Sequence, residues 1–129
     1  FNHPVKELIW KPTKSGAAGP VAPTAIKLML NGHDRFAARD GRYFTKLQKY
    51  YHHTAVTAAA HHATSVGDDV YVYSFALRPE EHQPSGTCNF SRIDNATLTC
   101  SAAVATSIYA INYNVLRVVS GMGGLAYSN

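Results

Sequence analysis

Cysteine is nearly absent. The 129 residues hold two, Cys88 and Cys100, so no disulfide framework staples the fold. A lone bridge between them is one reading; two buried or half-buried thiols are the expected state. A long apolar run is missing too, which excludes a membrane-spanning helix, and no signal-like leader is visible. Charged residues make up 16% against 46% hydrophobic, a balance too apolar for a disordered tail. The net charge of +4 is modest, and its carriers are scattered from Lys6 to Arg117. A nucleic-acid protein concentrates them on one helix or stripe. The nearest approach is Arg35 to Lys49, with Tyr43, Phe44, Tyr50 and Tyr51 interleaved, and it reads as a solvated loop with aromatic anchors. No direct nucleic-acid contact is expected.

Catalytic patterns are missing as well. Of the seven histidines, His52-His53 and His61-His62 flank TAVTAAA. Adjacent histidines on a strand point to opposite faces, and a zinc site wants four ligands in compact geometry. No cysteine or carboxylate lies at ligand spacing. A cupin-type metalloenzyme needs a close HxH and a following Glu on strands, and the chain has neither. Ser85 or Cys88 could pair with His82 and Asp94, but there is no Gly-x-Ser-x-Gly elbow. No catalytic residue, metal or cofactor is expected.

What is present is β pattern. In VKELIWKP, Val5 to Pro12, Lys6, Leu8 and Trp10 share one face and Val5, Glu7 and Ile9 the other. KSGAAGPVAP reads as loop. AIKLMLNG, Ala25 to Gly32, alternates Ile26, Leu28 and Leu30 with Lys27, Met29 and Asn31, and ends on the turn signal Asn31-Gly32. From His33 to Gly67 the period of two is lost. Phe44, Leu47 and Tyr51 allow one or two helical turns, so any helix is expected between Arg35 and Thr54. Thr54 to Val66 reads as a long exposed loop. VYVYSFALRP, Val70 to Pro79, ATLTCS, Ala96 to Ser101, and SIYAINYNVLRVVSG, Ser107 to Gly121, complete the strands. Gly121, Gly123 and Gly124 are read as breaking the last. Short strands with Pro/Gly-rich turns predict an all-β, antiparallel sandwich.

One stretch, EEHQPSGTCNFSRIDNATL (Glu80 to Leu98), concentrates polar detail. Asn89-Phe90-Ser91 and Asn95-Ala96-Thr97 fit N-x-[ST], so Asn89 and Asn95 are candidate glycosylation sites in a secretory compartment. Pro84, Ser85 and Gly86 supply a turn. Asn89, Ser91 and Asp94 can bond nearby backbone amides, Arg92 can reach Asp94, as a buried pair, or a neighbouring carboxylate, and Phe90 and Ile93 anchor the loop. These residues are read as fold determinants.

FNHPVKELIW, LMLNGHDRF, DGRYF, VYVYSFALRPEEHQPSGTCNFSRIDNATL and NYNVLRVVSGMGGLAYSN closely resemble the major capsid protein of nucleocytoplasmic large DNA viruses. Iridoviruses and algal phycodnaviruses are the nearest look-alikes. The likeness runs over the whole chain, weakest at Thr54 to Val66. It implies a double jelly-roll protein that forms pseudo-hexagonal homotrimers in an icosahedral capsid. Residues 1–129 then form a partial C-terminal jelly roll. Val5–Pro12 is strand E, followed by F, G, H and I. The N-terminal jelly roll and strands B, C and D lie outside the chain, which opens without an initiator methionine and reads as a piece. The sheet orders implied are B-I-D-G and C-H-E-F. Other polypeptide is therefore expected between Val70–Leu77 and Ile108–Val119.

The implied partners are further copies, neighbouring capsomers, and minor capsid and penton proteins, with an internal viral membrane nearby but not spanned. The implied place is the virion, after assembly in the host cytoplasm. Tyr43, Phe44, Tyr50 and Tyr51 are the candidate subunit contacts, since aromatic residues are enriched at interface hot spots. The alternative reading is a lectin-like jelly-roll module that binds host glycans.

Overall fold

The computed structural model describes residues 1–13, 23, 25–54, 70–101 and 105–127. The expected loops at 14–23 and 54–66, with His61 and His62, lie almost wholly outside the described residues. Two antiparallel sheets face each other across an aromatic core.

The first sheet is organised by β1 (Pro4–Thr13). Along one edge it pairs with β7 (Ala105–Asn112), from Val5↔Asn112 to Thr13↔Ala105. Along the other it pairs with β4 (Tyr71–Ser74) at residues 7–10 and with β5 (Cys88–Asn89) at residues 4–5. This corrects the expectation that other polypeptide must separate 70–77 from 108–119. Residues 5–12, expected in the opposite sheet as strand E, fill that place themselves. The sequence alternation of β1 fits either sheet equally well, so periodicity could not choose between them.

A bulge between Val5 and Glu7 adjusts the faces of β1. It sends Val5 into the core beside Leu8 and Trp10, where simple alternation puts Lys6. The Lys6 carbonyl accepts from the amides of Phe75 and Ala76 at 2.9 and 3.2 Å. These bonds draw the chain out of β4, which ends at Ser74 rather than continuing to Pro79.

The second sheet is β3-β2-β6, with β2 (Ile26–Leu30) between β3 (His33–Asp34) and β6 (Ala96–Cys100). Ile26 and Leu28 are buried as their alternation requires. Asn31 and Gly32 both take positive φ, 51° and 79°, the backbone of a two-residue hairpin turn that glycine and asparagine tolerate. The Asn31 side-chain oxygen also accepts from the amides of Asp94 and Asn95, which fixes where β6 starts.

Between the sheets lie Trp10, Phe44, Tyr71 and Tyr73, with Phe36 packed against them. Trp10 meets Phe44 at 5.4 Å and Tyr71 at 5.9 Å, while Phe36 meets Tyr73 at 4.9 Å. Such pairs add about 0.5–1.5 kcal/mol each beyond the area they bury. The helical segment falls inside the expected interval: a π-helical turn, Tyr43–Leu47, runs into α1 (Gln48–His52). A single 3-10 turn, Phe90–Arg92, lies outside it.

The long strand expected from Ser107 to Gly121 is two strands. Beyond β7 the Tyr113 amide bonds Pro4, and the Asn114 side chain accepts from the Val115 amide and donates to the Tyr127 carbonyl. That local bonding diverts the chain. β8 (Leu116–Val119) then pairs with β9 (Met122–Leu125) through a turn with Ser120 and Gly121 at positive φ. Gly123 and Gly124, read as strand breakers, are strand residues.

Candidate assembly surfaces

The loop from Leu77 to Asn95 is tied down by its own polar groups. Ser85 Oγ accepts from the Arg78 amide at 2.9 Å and donates to the Arg78 carbonyl. Gly86 takes φ 142°, and an added Cβ would sit 2.8 Å from the Phe75 carbonyl, so only glycine fits. Asn89 caps the following 3-10 turn by accepting from the Ser91 amide at 3.1 Å, and Ser91 Oγ accepts from the His3 amide. Phe90 is buried between Phe1 and Phe75. The expected buried Arg92–Asp94 pair is corrected: both residues are exposed. Asp94 enters the loop through its backbone amide instead. Pro84 is exposed at the turn.

The helical segment closes the free edge of β4. Gln48 is buried; its oxygen accepts from the Ser74 amide at 3.1 Å and its amide donates to the Tyr43 hydroxyl at 2.8 Å. An edge amide otherwise open to another strand is thereby used. His53 then bridges two carboxylates, with Nε2 3.0 Å from buried Glu7 and Nδ1 3.1 Å from Glu80. Glu80 also accepts from the Thr54 hydroxyl and amide, which hold its carboxyl below the ordinary 4.5.

The four aromatic contact candidates separate. Phe44 is fully buried, and this corrects its assignment to a subunit surface: the π turn points it at Trp10. Tyr43 is half-buried under the Arg39 guanidinium, 4.5 Å from its ring centre. Tyr50 and Tyr51 are 70% and 67% exposed and meet edge to face at 5.6 Å. The His52 ring bonds the Leu77 carbonyl, which ties the helical segment to the chain that follows β4.

Reactive chemistry is not assembled among the described residues. Among the described residues no hydrogen bond joins Ser85 or Cys88 to His82 or Asp94. No group of three His, Cys, Asp or Glu among them could hold a metal. Both cysteines are free, and burial pushes their thiols up, away from the thiolate that nucleophilic chemistry needs. Asn89 and Asn95 are exposed. The Asn89 carboxamide oxygen is engaged with Ser91, and Thr97 reaches Asn95 at 3.4 Å.

Two features escaped the sequence reading. The Glu7–His53–Glu80 bridge had one signal, a carboxylate among the apolar residues Val5, Leu8, Ile9 and Trp10 of β1. The other is the β8–β9 hairpin, where every residue is exposed, Leu116, Val118, Met122 and Leu125 by 65–75%.

The comparisons agree with this architecture. The family described as "Large eukaryotic DNA virus major capsid protein" matches residues 1–124. The chain is 51% identical to the major capsid protein of Pyramimonas orientalis virus, an alignment covering 100% of this chain and 38% of that protein. It is 42% identical to the major capsid protein of Paramecium bursaria Chlorella virus 1, covering 100% and 42%. The quasi-atomic model of the PBCV-1 virus capsid superposes with a TM-score of 0.78 at 37% identity, over 100% of this chain and 44% of that one. The chain thus spans about two fifths of the length of these relatives. With the match running through both sheets and the hairpin, the chain belongs to the major capsid protein family of large eukaryotic DNA viruses.

Proposed function

We propose that the chain is structural: part of a subunit of an icosahedral virion shell that forms pseudo-hexagonal homotrimers. The observation that carries this reading is its superposition, end to end, on part of a capsid-shell protein. The surface supports it. Its exposed side chains include aromatic and aliphatic groups suited to protein contact, among them Tyr50, Tyr51, Leu116 and Met122.

In this reading residues 1–129 belong to a C-terminal jelly roll. The sheet order favours β1, β2 and β3 as strands D, E and F, with β4, β6 and β7 as G, H and I. That revises the expected start at E. The outer edges of β6 and β7 have no strand beside them among the described residues. They are where strands C and B would add by main-chain hydrogen bonding. The loop built on Pro84, Ser85, Gly86, Asn89 and Phe90 determines the fold by holding β6 in register with β2. Tyr50 and Tyr51 serve as subunit contacts. Neighbouring capsomers, minor capsid and penton proteins, and assembly in the host cytoplasm beside an internal membrane complete the proposal.

Immunogold labelling of purified particles, with antibody raised against this chain, tests it. Dense, even labelling of the shell is the expected result, with released capsomers weighing three subunits by native mass spectrometry. Particles that do not label, or capsomers of another stoichiometry, would contradict it.

A further inference from the structure

A carboxylate only accepts hydrogen bonds, and a neutral imidazole donates from one nitrogen only. The His53 ring nevertheless sits between two carboxyl groups, with Nε2 3.0 Å from Glu7 Oε2 and Nδ1 3.1 Å from Glu80 Oε1. Two such bonds need two hydrogens. A neutral ring between two carboxylates brings one, and its other nitrogen then aims a lone pair at a carboxylate oxygen. The closed bridge therefore carries one proton beyond those of a neutral ring and two carboxylates. Imidazole is a stronger base than carboxylate, so that proton belongs to the ring and both nitrogens donate.

Burial makes the proton matter. Glu7 is buried in β1, and among the described residues His53 is the partner of its side chain. A buried carboxylate left facing a lone pair is strongly unfavourable. The His53 side chain is 23% exposed, so its proton can exchange with water. The charged groups that meet the ring are Glu7 from β1 and Glu80 from the loop after β4. Beside Glu80, Arg78 is engaged by Glu81 at 3.1 Å. The neighbouring His52 ring is spent on the Leu77 carbonyl, and the segment's own cations are Lys46 and Lys49.

The ring clamps the end of the helical segment, since His53 is the residue that leaves α1 in extended conformation. That segment sets Gln48 on the Ser74 amide at the β4 edge and Phe44 against Trp10. We propose that the Glu7–His53–Glu80 bridge is a proton-dependent latch on this segment. With the extra proton in place it holds residues 43–54 against β1 and the loop after β4. As pH rises and the proton leaves, it releases them and uncovers the β4 edge. The latch works whatever the chain assembles with.

Glu80→Gln separates a latch from a plain structural contact. The Glu80 Oε2 atom lies 3.3 Å from the Thr54 amide and 2.6 Å from its hydroxyl. A glutamine can keep its oxygen there and turn its nitrogen to His53 Nδ1. That nitrogen donates to a neutral ring, which donates in turn to Glu7, so the extra proton is no longer needed.

The test is a pH series on the full chain carrying isotope-labelled histidine, with His53 assigned from a His53→Gln spectrum. Imidazole nitrogen resonances report the proton on each ring nitrogen. Hydrogen exchange read by mass spectrometry, corrected for intrinsic pH dependence, reports the segment. Both His53 nitrogens should carry protons while residues 43–54 are protected. Exchange of those residues should rise by more than about tenfold over the step in which the ring loses one proton, while Leu8 to Pro12 stay protected. In Glu80→Gln that rise should disappear. A ring with one proton while the segment is protected, exchange that ignores the ring's titration, or an equal rise in Glu80→Gln would overturn the latch.

Discussion

Two apolar regions of the chain meet opposite fates. Around Trp10, strands β1 and β4 and the helical segment enclose their side chains, and Gln48 occupies the sheet edge. Around Val118, a hairpin of similar hydrophobicity leaves both faces in water. Local pattern is alike in the two regions; what differs is whether the chain itself supplies the covering layer. Hydrophobic alternation alone therefore does not tell which side chains these residues themselves bury.

Substitutions should separate the two regions. The largest effect belongs to the enclosed one: Trp10→Ala or Phe44→Ala should lower unfolding free energy by about 3–5 kcal/mol. Val118→Ala or Met122→Ala in the hairpin should change it by less than about 0.5 kcal/mol. Urea unfolding of the monomer measures both, and equal losses would erase the distinction. Next comes His53→Ala, which strips the partner from buried Glu7 and should remove about 3 kcal/mol. A melt unchanged from the parent would show the bridge to be incidental. Gln48→Ala leaves the Ser74 amide unmet at the β4 edge and should remove about 1–3 kcal/mol. Faster exchange of that amide would accompany the loss.

The smallest effect is the response to acid at the exposed end of the bridge. The Thr54 hydroxyl and amide, then His53, hold the Glu80 carboxyl below 4.5. A depressed carboxyl contributes stability that is fully present above 4.5 and is lost as pH falls through the lower folded value. The Thr54 amide resonance should therefore stay constant above that pH and move as the carboxyl protonates. Movement centred above 4.5 would reverse the sign.

Much of the sandwich was legible. The alternation of Ile26 and Leu28, the Asn31-Gly32 turn and the helical turns at Phe44 and Tyr51 are local signals, and the structure keeps them. The strand order was not legible, because β1 has the same period whichever sheet receives it. The break after Asn112 was hidden too, since it depends on Asn114 reaching Tyr127 across thirteen residues. Phe44 was misassigned for a related reason. Its aromatic character suits a hot spot and a core equally, and only the phase of the π turn decides. Arg92 and Asp94 formed a plausible pair in sequence, but the loop uses the Asp94 amide and leaves both side chains outside.

The central claim is that the hairpin's cover comes from outside these residues while the sandwich core covers itself. Hydrogen exchange read by mass spectrometry, on the dilute chain and on assembled shells, tests it most directly. The account predicts that peptides from Leu8 to Pro12 and from Tyr71 to Ser74 are protected in both states. Peptides from Leu116 to Leu125 should exchange rapidly in the dilute chain and become protected only in the shell. Hairpin peptides that exchange equally fast in both states would contradict it.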